Sequence, residues 1–171
     1  MADVFRHNRW DILSLAALWA RIGLTFGNPS DHIQHGLDWL GAARIFEEAG
    51  RFDEAVRSYR EALDRALSEA ERIEGLDGMG LVLKQNRRWR DAIEIWEEAI
   101  RIGPWRIGPY EEIAKAYEHR LGDYTRAMDV VRRALARIEI AGELKPSYQL
   151  QTEYAVLEHR LKRLKRKLGD G

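Results

Sequence analysis

Two residues near the start of the chain, His7 and Asp11, have types and spacing that could serve hydrolytic chemistry. A separation of four residues places them on one side of a helix, where a carboxylate beside a polar helper suits metal-dependent cleavage of phosphodiesters. One carboxylate cannot hold two divalent cations, because each ion needs several oxygen ligands. The sequence therefore predicts no catalytic residue and no metal site. Asp11 would be a metal ligand only in a longer protein that contains this chain. An acid in a first helical turn also suits the helix macrodipole.

Other titratable residues form no complete site either. His32 and His35 lie on one helical face with aspartates nearby, but they lack a third ligand, and we interpret them as surface or packing residues. Glu118 and His119 are too isolated for an acid–base pair with a defined substrate. Glycines follow no predicted strand, so there is no phosphate-binding loop. We expect a protein that is not an enzyme and needs no cofactor.

Composition and charge exclude several classes of protein. The 171 residues include 28 Lys+Arg and 28 Asp+Glu, so no net charge draws the chain to nucleic acid or membrane. The absence of cysteine excludes disulfides and thiolate metal sites. The longest apolar run, residues 12–20, is far shorter than the roughly 20 residues of a membrane span. We expect a cytoplasmic protein with no membrane contact.

One spaced set of residues occurs three times and predicts the elements of the fold. A turn is followed by an alanine, a large apolar residue four positions later and a second alanine three positions beyond: Ala55, Tyr59 and Ala62; Ala92, Trp96 and Ala99; Ala127, Val131 and Ala134. The first alanines are 37 and 35 residues apart, which is the period of a stacked helical hairpin. Short turns make the paired helices antiparallel. The third turn, residues 119–123, is one residue longer than the others.

This pattern resembles the tetratricopeptide repeat, with the best match in the first copy and the weakest in the third, where Val131 replaces the aromatic residue. The resemblance implies an all-α, right-handed solenoid of about eight helices. It would comprise an N-terminal helix within residues 1–26, three hairpins over residues 31–140 and a capping helix over residues 146–168. The capping helix carries leucines at 157, 161, 164 and 168, and we expect its basic residues to form a polar outer face.

The resemblance also implies a binding surface, because the first helix of each repeat lines the concave side, the usual peptide site in such solenoids. The residues predicted to line it are Leu37, Leu40, Arg44, Glu47, Glu48, Asp77, Leu81, Lys84, Gln85, Glu111, Lys115, Glu118 and His119. They lack the Lys, Arg and Asn cluster of the family's clamp for C-terminal carboxylates, which argues against a chaperone-tail adaptor. The surface suits a protein or peptide partner, or it is a solvated face of mixed charge.

The two ends of the chain carry a second resemblance. Residues 7–15, 117–124 and 157–164 resemble the C-terminal part of bacterial ribonuclease-H-like exonuclease-domain proteins that carry tetratricopeptide repeats after the nuclease domain. Asp11 would then correspond to the last metal-binding acid of that domain. The other acids would lie upstream in a β-sheet, and this chain has no strand-like sequence. The resemblance therefore predicts no nuclease activity for this chain by itself.

The basic residues near the C-terminus are the second candidate surface. Residues 157–171 contain six Lys/Arg and two acids, a balance that could bind nucleic acid phosphates with a salt-dependent affinity. The six are Arg160, Lys162, Arg163, Lys165, Arg166 and Lys167. Two functions stay open: a non-catalytic scaffold for protein–protein interaction, or a C-terminal accessory module, natural or truncated, of a ribonuclease-H-like metal-dependent exonuclease that contacts nucleic acid through this helix.

Overall fold

The computed structural model describes residues 23, 27, 32–144 and 147–169. The helices over 32–169 are α1 (Gly36–Glu48), α2 (Phe52–Leu63), α3 (Glu69–Gln85), α4 (Trp89–Ile102), α5 (Ile107–Ala116), α6 (Tyr124–Leu144) and α7 (Tyr148–Gly169), with a π-helical turn, Tyr117–Leu121, after α5. This part of the chain contains no strand, which confirms the predicted all-α class. The helix predicted within residues 1–26 lies outside the described residues except for Gly23, which is helical.

The described helices form three hairpins followed by one more helix. Within the hairpins α1 packs on α2, α3 on α4 and α5 on α6, while the second helix of one hairpin packs on the first helix of the next. The capping helix α7 packs along α6. One continuous apolar core runs from α1 to α7, as expected for a stacked repeat. No helix in the described part of the chain is long and apolar enough to cross a membrane.

The repeated alanines lie in the core of the packed helices. All six are at most 1% exposed, because a methyl group lets neighbouring helix backbones approach. The large residues between them, Tyr59, Trp96 and Val131, are buried as well. Tyr59 satisfies its polar end by donating a hydrogen bond from its hydroxyl to Glu47 Oε2, at 3.2 Å. The repeated set therefore forms the packing surface that the sequence pattern predicts.

We expect Gly80→Ala to destabilise the protein even though alanine favours helix. A Cβ on Gly80 would overlap the indole nitrogen of Trp96, and Trp96 is buried and cannot move aside. Overpacking of this kind lowers the free energy of unfolding by about 1–3 kcal/mol. The matched control is Gly41→Ala, since nothing lies within 4 Å of that position. The control should raise stability by up to about 1 kcal/mol, and urea titration of both variants measures the difference.

Each hairpin turns at a residue with left-handed backbone, five residues before the first alanine of its second helix. These residues are Gly50 with φ +70°, Arg87 with φ +57° and Gly122 with φ +66°. The first two turns are closed by equivalent hydrogen bonds of 2.8 Å, from Arg51 N–H to the Phe46 carbonyl and from Arg88 N–H to the Leu83 carbonyl. Such bonds satisfy carbonyls at the end of the preceding helix. Arg87 therefore occupies a position suited to glycine.

We expect Arg87→Gly to stabilise the protein. Left-handed backbone costs an L-residue roughly 1–2 kcal/mol, and the greater freedom of glycine in the unfolded chain offsets about 0.5–1 kcal/mol of that. The free energy of unfolding in urea should rise by about 0.5–1 kcal/mol. Asn86→Gly is the control, because Asn86 has an ordinary φ of −83°. If Arg87→Gly is as destabilising as the control, Arg87 does not have left-handed backbone.

The π-helical turn accommodates the extra residue that the sequence spacing places in the third turn. Asp123 N–H donates to the Tyr117 carbonyl at 3.0 Å, across six residues, whereas the corresponding bonds in the first two turns span five. The helix thus widens for one turn and then ends at Gly122. Single π turns of this kind occur frequently at functional sites. This one contains Glu118, a buried carboxylate.

Candidate functional site

The first helices of the three hairpins, α1, α3 and α5, present charged side chains that connect one helix to the next. Arg44 of α1 pairs with Glu74 of α3, and Lys84 of α3 pairs with Glu112 of α5 at 2.5 Å. We call the exposed side chains of these three helices the inner surface. Solvent-exposed ion pairs contribute only about 0–1 kcal/mol to stability. The exposed Arg44–Glu74 pair therefore matters more for the charge pattern of the inner surface than for holding the helices together.

Most of the predicted groove residues are exposed or half-buried on α1, α3 and α5, and His119 lies in the π turn. The exposed ones are Leu37, Arg44, Glu48, Leu81, Gln85 and His119, and the half-buried ones are Glu47, Asp77, Lys84, Glu111 and Lys115. Leu37 and Leu81 remain 56% and 42% exposed among these charges. The inner surface thus offers apolar contact as well as charge, a mixture typical of protein interfaces.

Two predicted groove residues, Leu40 and Glu118, are buried, and their assignment to an accessible groove was wrong. Leu40 is 2% exposed, and it points between α1 and α3, where its side chain would touch a Cβ on Gly75. Glu118 is 3% exposed because α7 covers it with basic side chains. Counting positions from the small residues predicted the helix face but not what lies over it.

Glu118 is held by three cations from α7. Its Oε2 accepts from Arg163 Nη2 at 2.7 Å and from Arg160 Nη1 at 3.0 Å, and its Oε1 accepts from Lys167 Nζ at 3.0 Å. His119 Nε2 also lies near this carboxylate, 3.6 Å from Oε2. The Nε–H of Arg160 is buried with no hydrogen-bond partner in the described part of the chain. With a fourth bond from Arg163 Nε to Oε1 at 3.0 Å, the carboxylate uses all of its roughly four acceptor sites.

These contacts should make stability depend on pH. Burial alone would raise the pKa of Glu118, but hydrogen bonds from Arg163 and Lys167 outweigh burial and lower the pKa from 4.5 to about 2. A carboxylate with a lowered pKa stabilises the fold above its unfolded pKa, and this contribution is lost as the pH falls towards the folded value. The shift corresponds to about 3 kcal/mol. Urea unfolding should show this loss between about pH 5 and pH 2, and Glu118→Gln should lack it.

The basic residues of α7 do not all form a polar outer face, and that prediction was wrong for three of the six. Arg160, Arg163 and Lys167 turn inward to Glu118, while Lys162, Lys165 and Arg166 remain exposed. The buried leucines of α7 are Leu157 and Leu164. Residues 160 and 167 follow them by three positions, so they lie on the side of α7 that faces Glu118.

A pocket of about 460 Å³ lies at the end of the inner surface, beside this cluster. Its lining combines an aromatic ring, a small residue, one carboxylate and several bases: Lys84, Trp89, Glu112, Lys115, Ala116, His119, Arg120 and Arg160. The volume lies within the range of about 300–1,000 Å³ that is typical of ligand sites. Trp89, Glu112 and Arg120 were not predicted as site residues. Only the fold shows that they line one pocket with residues of α3, α5 and α7.

Within the pocket Glu112 is held by two lysines. Lys84 Nζ lies 2.5 Å from Glu112 Oε2, and Lys115 Nζ lies 2.8 Å from Oε1. Burial raises the pKa of Glu112, but the hydrogen bonds from Lys115 and Lys84 outweigh it and lower the pKa below its usual value. Glu112 is therefore ionised at neutral pH. Arg120 lies over the ring of Trp89, 5.0 Å from the centroid.

The described residues contain no group of three or more His, Asp or Glu that could hold a metal ion. His32 and His35 are both exposed in the structure. Asp11 and the rest of residues 7–15, which carry the nuclease resemblance, lie outside the described residues. The candidate site consists of side chains of opposite charge and a few apolar groups.

Comparison with known proteins supports the repeat. A family model described as a tetratricopeptide repeat matches residues 39–73. These residues include most of α1, all of α2 and the start of α3, and they contain the copy with the best sequence match. A comparison with curated proteins gives no match. Solved structures match a much longer part of the chain.

A structure of a T3SS complex from Aeromonas hydrophila matches with a TM-score of 0.59 and 16% identity over 78% of this chain and 83% of that chain. The chain folds as a tetratricopeptide-repeat solenoid. PcrH from Pseudomonas aeruginosa matches with a TM-score of 0.57 and 12% identity over 76% of this chain and 91% of that chain. The TPR2B-domain:pHsp70-complex of yeast Sti1 matches with a TM-score of 0.52 and 17% identity over 73% of this chain and 97% of that chain.

Identities this low show a shared fold only. They do not identify what this tetratricopeptide-repeat solenoid binds. None of the three structures concerns a nuclease, and the second sequence resemblance gains no support from them. The π turn and the cations of α7 are described from the geometry of this chain.

Proposed function

We propose that the chain is a non-catalytic scaffold that binds a protein or peptide on its inner surface. The observation that carries this proposal is the combination of exposed leucines with charges of both signs on α1, α3 and α5, ending at the pocket beside α7. Leu37 and Leu81 supply apolar area, and the ion pairs of Arg44 and Lys84 supply directional polar contacts. Interfaces commonly combine an apolar centre with a polar rim.

The similar solved structures support a binding role. One is a complex of a tetratricopeptide domain with pHsp70, and another, with a TM-score of 0.51 and 16% identity, is described as the first TPR of Spaghetti (RPAP3) bound to the HSP90 peptide SRMEEVD. Proteins with this fold thus hold peptides, which is consistent with a scaffold and requires no catalytic residue.

Charge reversal on the inner surface tests the scaffold. We expect Arg44→Glu and Lys84→Glu to reduce the recovery of a partner that co-purifies with the tagged chain. The matched control is Arg132→Glu, which reverses an exposed arginine of α6, a second helix of a hairpin. Equal recovery with all three variants and the wild type would count against the inner surface as the binding site.

A further inference from the structure

The pocket at the end of the inner surface has an excess of positive charge. Four basic side chains line it in addition to His119, and its lining includes a single carboxylate, Glu112. Arg160, one of the four, shares Glu118 with two more cations from α7. This region thus holds six cations. Five of them contact only three carboxylates, since Lys115 also pairs with Glu111, and the sixth, Arg120, lies over the ring of Trp89. A chain of zero net charge therefore has a local positive field at this pocket.

Glu112 shows which chemistry the pocket accepts. Its two carboxylate oxygens bind Lys84 and Lys115 separately, each within hydrogen-bonding distance. Hydrogen bonds between ionised groups are among the strongest in proteins. An incoming carboxylate could take the same two ammonium groups, and it would find Arg120 and Arg160 on the same lining.

The apolar part of the lining favours a peptide as the source of that carboxylate. Trp89 and Ala116 form the non-polar wall, and Trp89 is only half-buried. An acidic residue next to an apolar one would match both parts of the lining. Nucleic acid fits less well, because Arg120 already covers one face of Trp89, the face on which a base would stack.

We propose that this pocket binds an acidic peptide segment through carboxylate groups, with Lys84, Lys115 and Arg120 as the recognising cations and Glu112 as a built-in competitor. The proposal rests on the proposed function, because the pocket is the end of the same inner surface. It differs from the predicted groove in that two of its cations come from the π turn and α7. A ligand in the pocket would therefore contact the third repeat and the capping helix together.

The probe is a fluorescein-labelled oligoglutamate peptide with one leucine and an amidated C-terminus, measured by fluorescence anisotropy. Arg120→Glu should weaken binding at least about threefold, since it reverses one exposed charge contact. Glu112→Gln should tighten binding by a similar factor, because it removes the competitor and releases both lysines. Arg101→Glu, in the last turn of α4, is the control and should have no effect. Added salt should weaken binding throughout.

Two further probes identify which anionic group of a ligand the pocket recognises. An oligoglutamine peptide with a free C-terminus tests whether a terminal carboxylate alone is recognised, and an oligothymidine strand tests phosphate. Binding of either peptide with opposite effects of Arg120→Glu and Glu112→Gln supports the proposal and identifies the carboxylate source. The proposal is overturned if neither peptide binds, or if a peptide binds and neither variant changes its affinity. It is also overturned if the opposite effects of Arg120→Glu and Glu112→Gln are seen with oligothymidine alone. If the inner surface still binds the co-purifying partner in that case, the proposed scaffold function stands. Only the proposal of an acidic ligand in the pocket is then rejected.

Discussion

Glu118→Gln is expected to lower the free energy of unfolding by about 3 kcal/mol at pH 7. The neutral amide cannot hold the charges of Arg160, Arg163 and Lys167, which are brought together by this one buried carboxylate. Removing one partner of a buried ion pair costs about 3–5 kcal/mol. The lower end applies here because Arg163 and Lys167 are 36% and 37% exposed and regain some hydration. Urea titration measures the loss.

The control for this variant is Glu158→Gln, which removes an exposed carboxylate of α7 that pairs with Lys162 at 3.1 Å. Its effect should be no more than about 0.5 kcal/mol. Hydrogen exchange should also show faster exchange of α7 amides in Glu118→Gln and unchanged exchange in Glu158→Gln, because Glu118 joins α7 to the π turn. Equal stability of the two variants would show that the cluster does not fix the capping helix.

Trp96→Ala should have an effect of similar size or larger. The indole is only 2% exposed, and it packs directly against Gly80, where the two helices of the second hairpin meet. Truncation of a buried tryptophan costs about 3–5 kcal/mol, because it removes apolar contacts and leaves a cavity. In a small solenoid this is a large part of the total stability. We expect the urea midpoint to fall accordingly.

Trp105→Ala is the matched control, since Trp105 is 50% exposed and its described aromatic contact is with Arg137 at 5.6 Å. Exposed cation–π contacts contribute about 0.5–1 kcal/mol, so the control should lose no more than that. If Trp96→Ala were no worse than Trp105→Ala, the second hairpin would not pack as the repeat requires.

The repeat could be predicted from sequence because each of its positions meets a local packing requirement. A buried alanine followed by a large residue four positions later, as in Ala55 and Tyr59, places both on one helix face. The same spacing also predicts which residue of each turn has left-handed backbone, five positions before the first alanine. Arg87 is five residues before Ala92, as Gly50 is before Ala55, so its left-handed backbone could have been inferred without a glycine.

The site could be predicted only in part, because it depends on contacts between residues far apart in sequence. Glu118 and Arg160 are separated by 42 residues. The leucine spacing of α7 identifies Leu157 and Leu164 as candidates for burial, but it does not show which of the basic residues between and after them face Glu118. No local pattern identifies a partner on another helix, which is why Arg160 was expected on the outer face.

Site-specific photocrosslinking tests the central claim, that partners bind the inner surface, most directly. A photoreactive amino acid replaces Leu37 or Leu81 on the inner surface in one set of variants and Arg132 on α6 in another. The account predicts a crosslinked species of defined mass from both leucine positions and none from Arg132. It also predicts that the protein identified in that species binds the purified chain and that Arg44→Glu weakens this binding. Crosslinks from Arg132 alone, or equal crosslinking from all three positions, would contradict it.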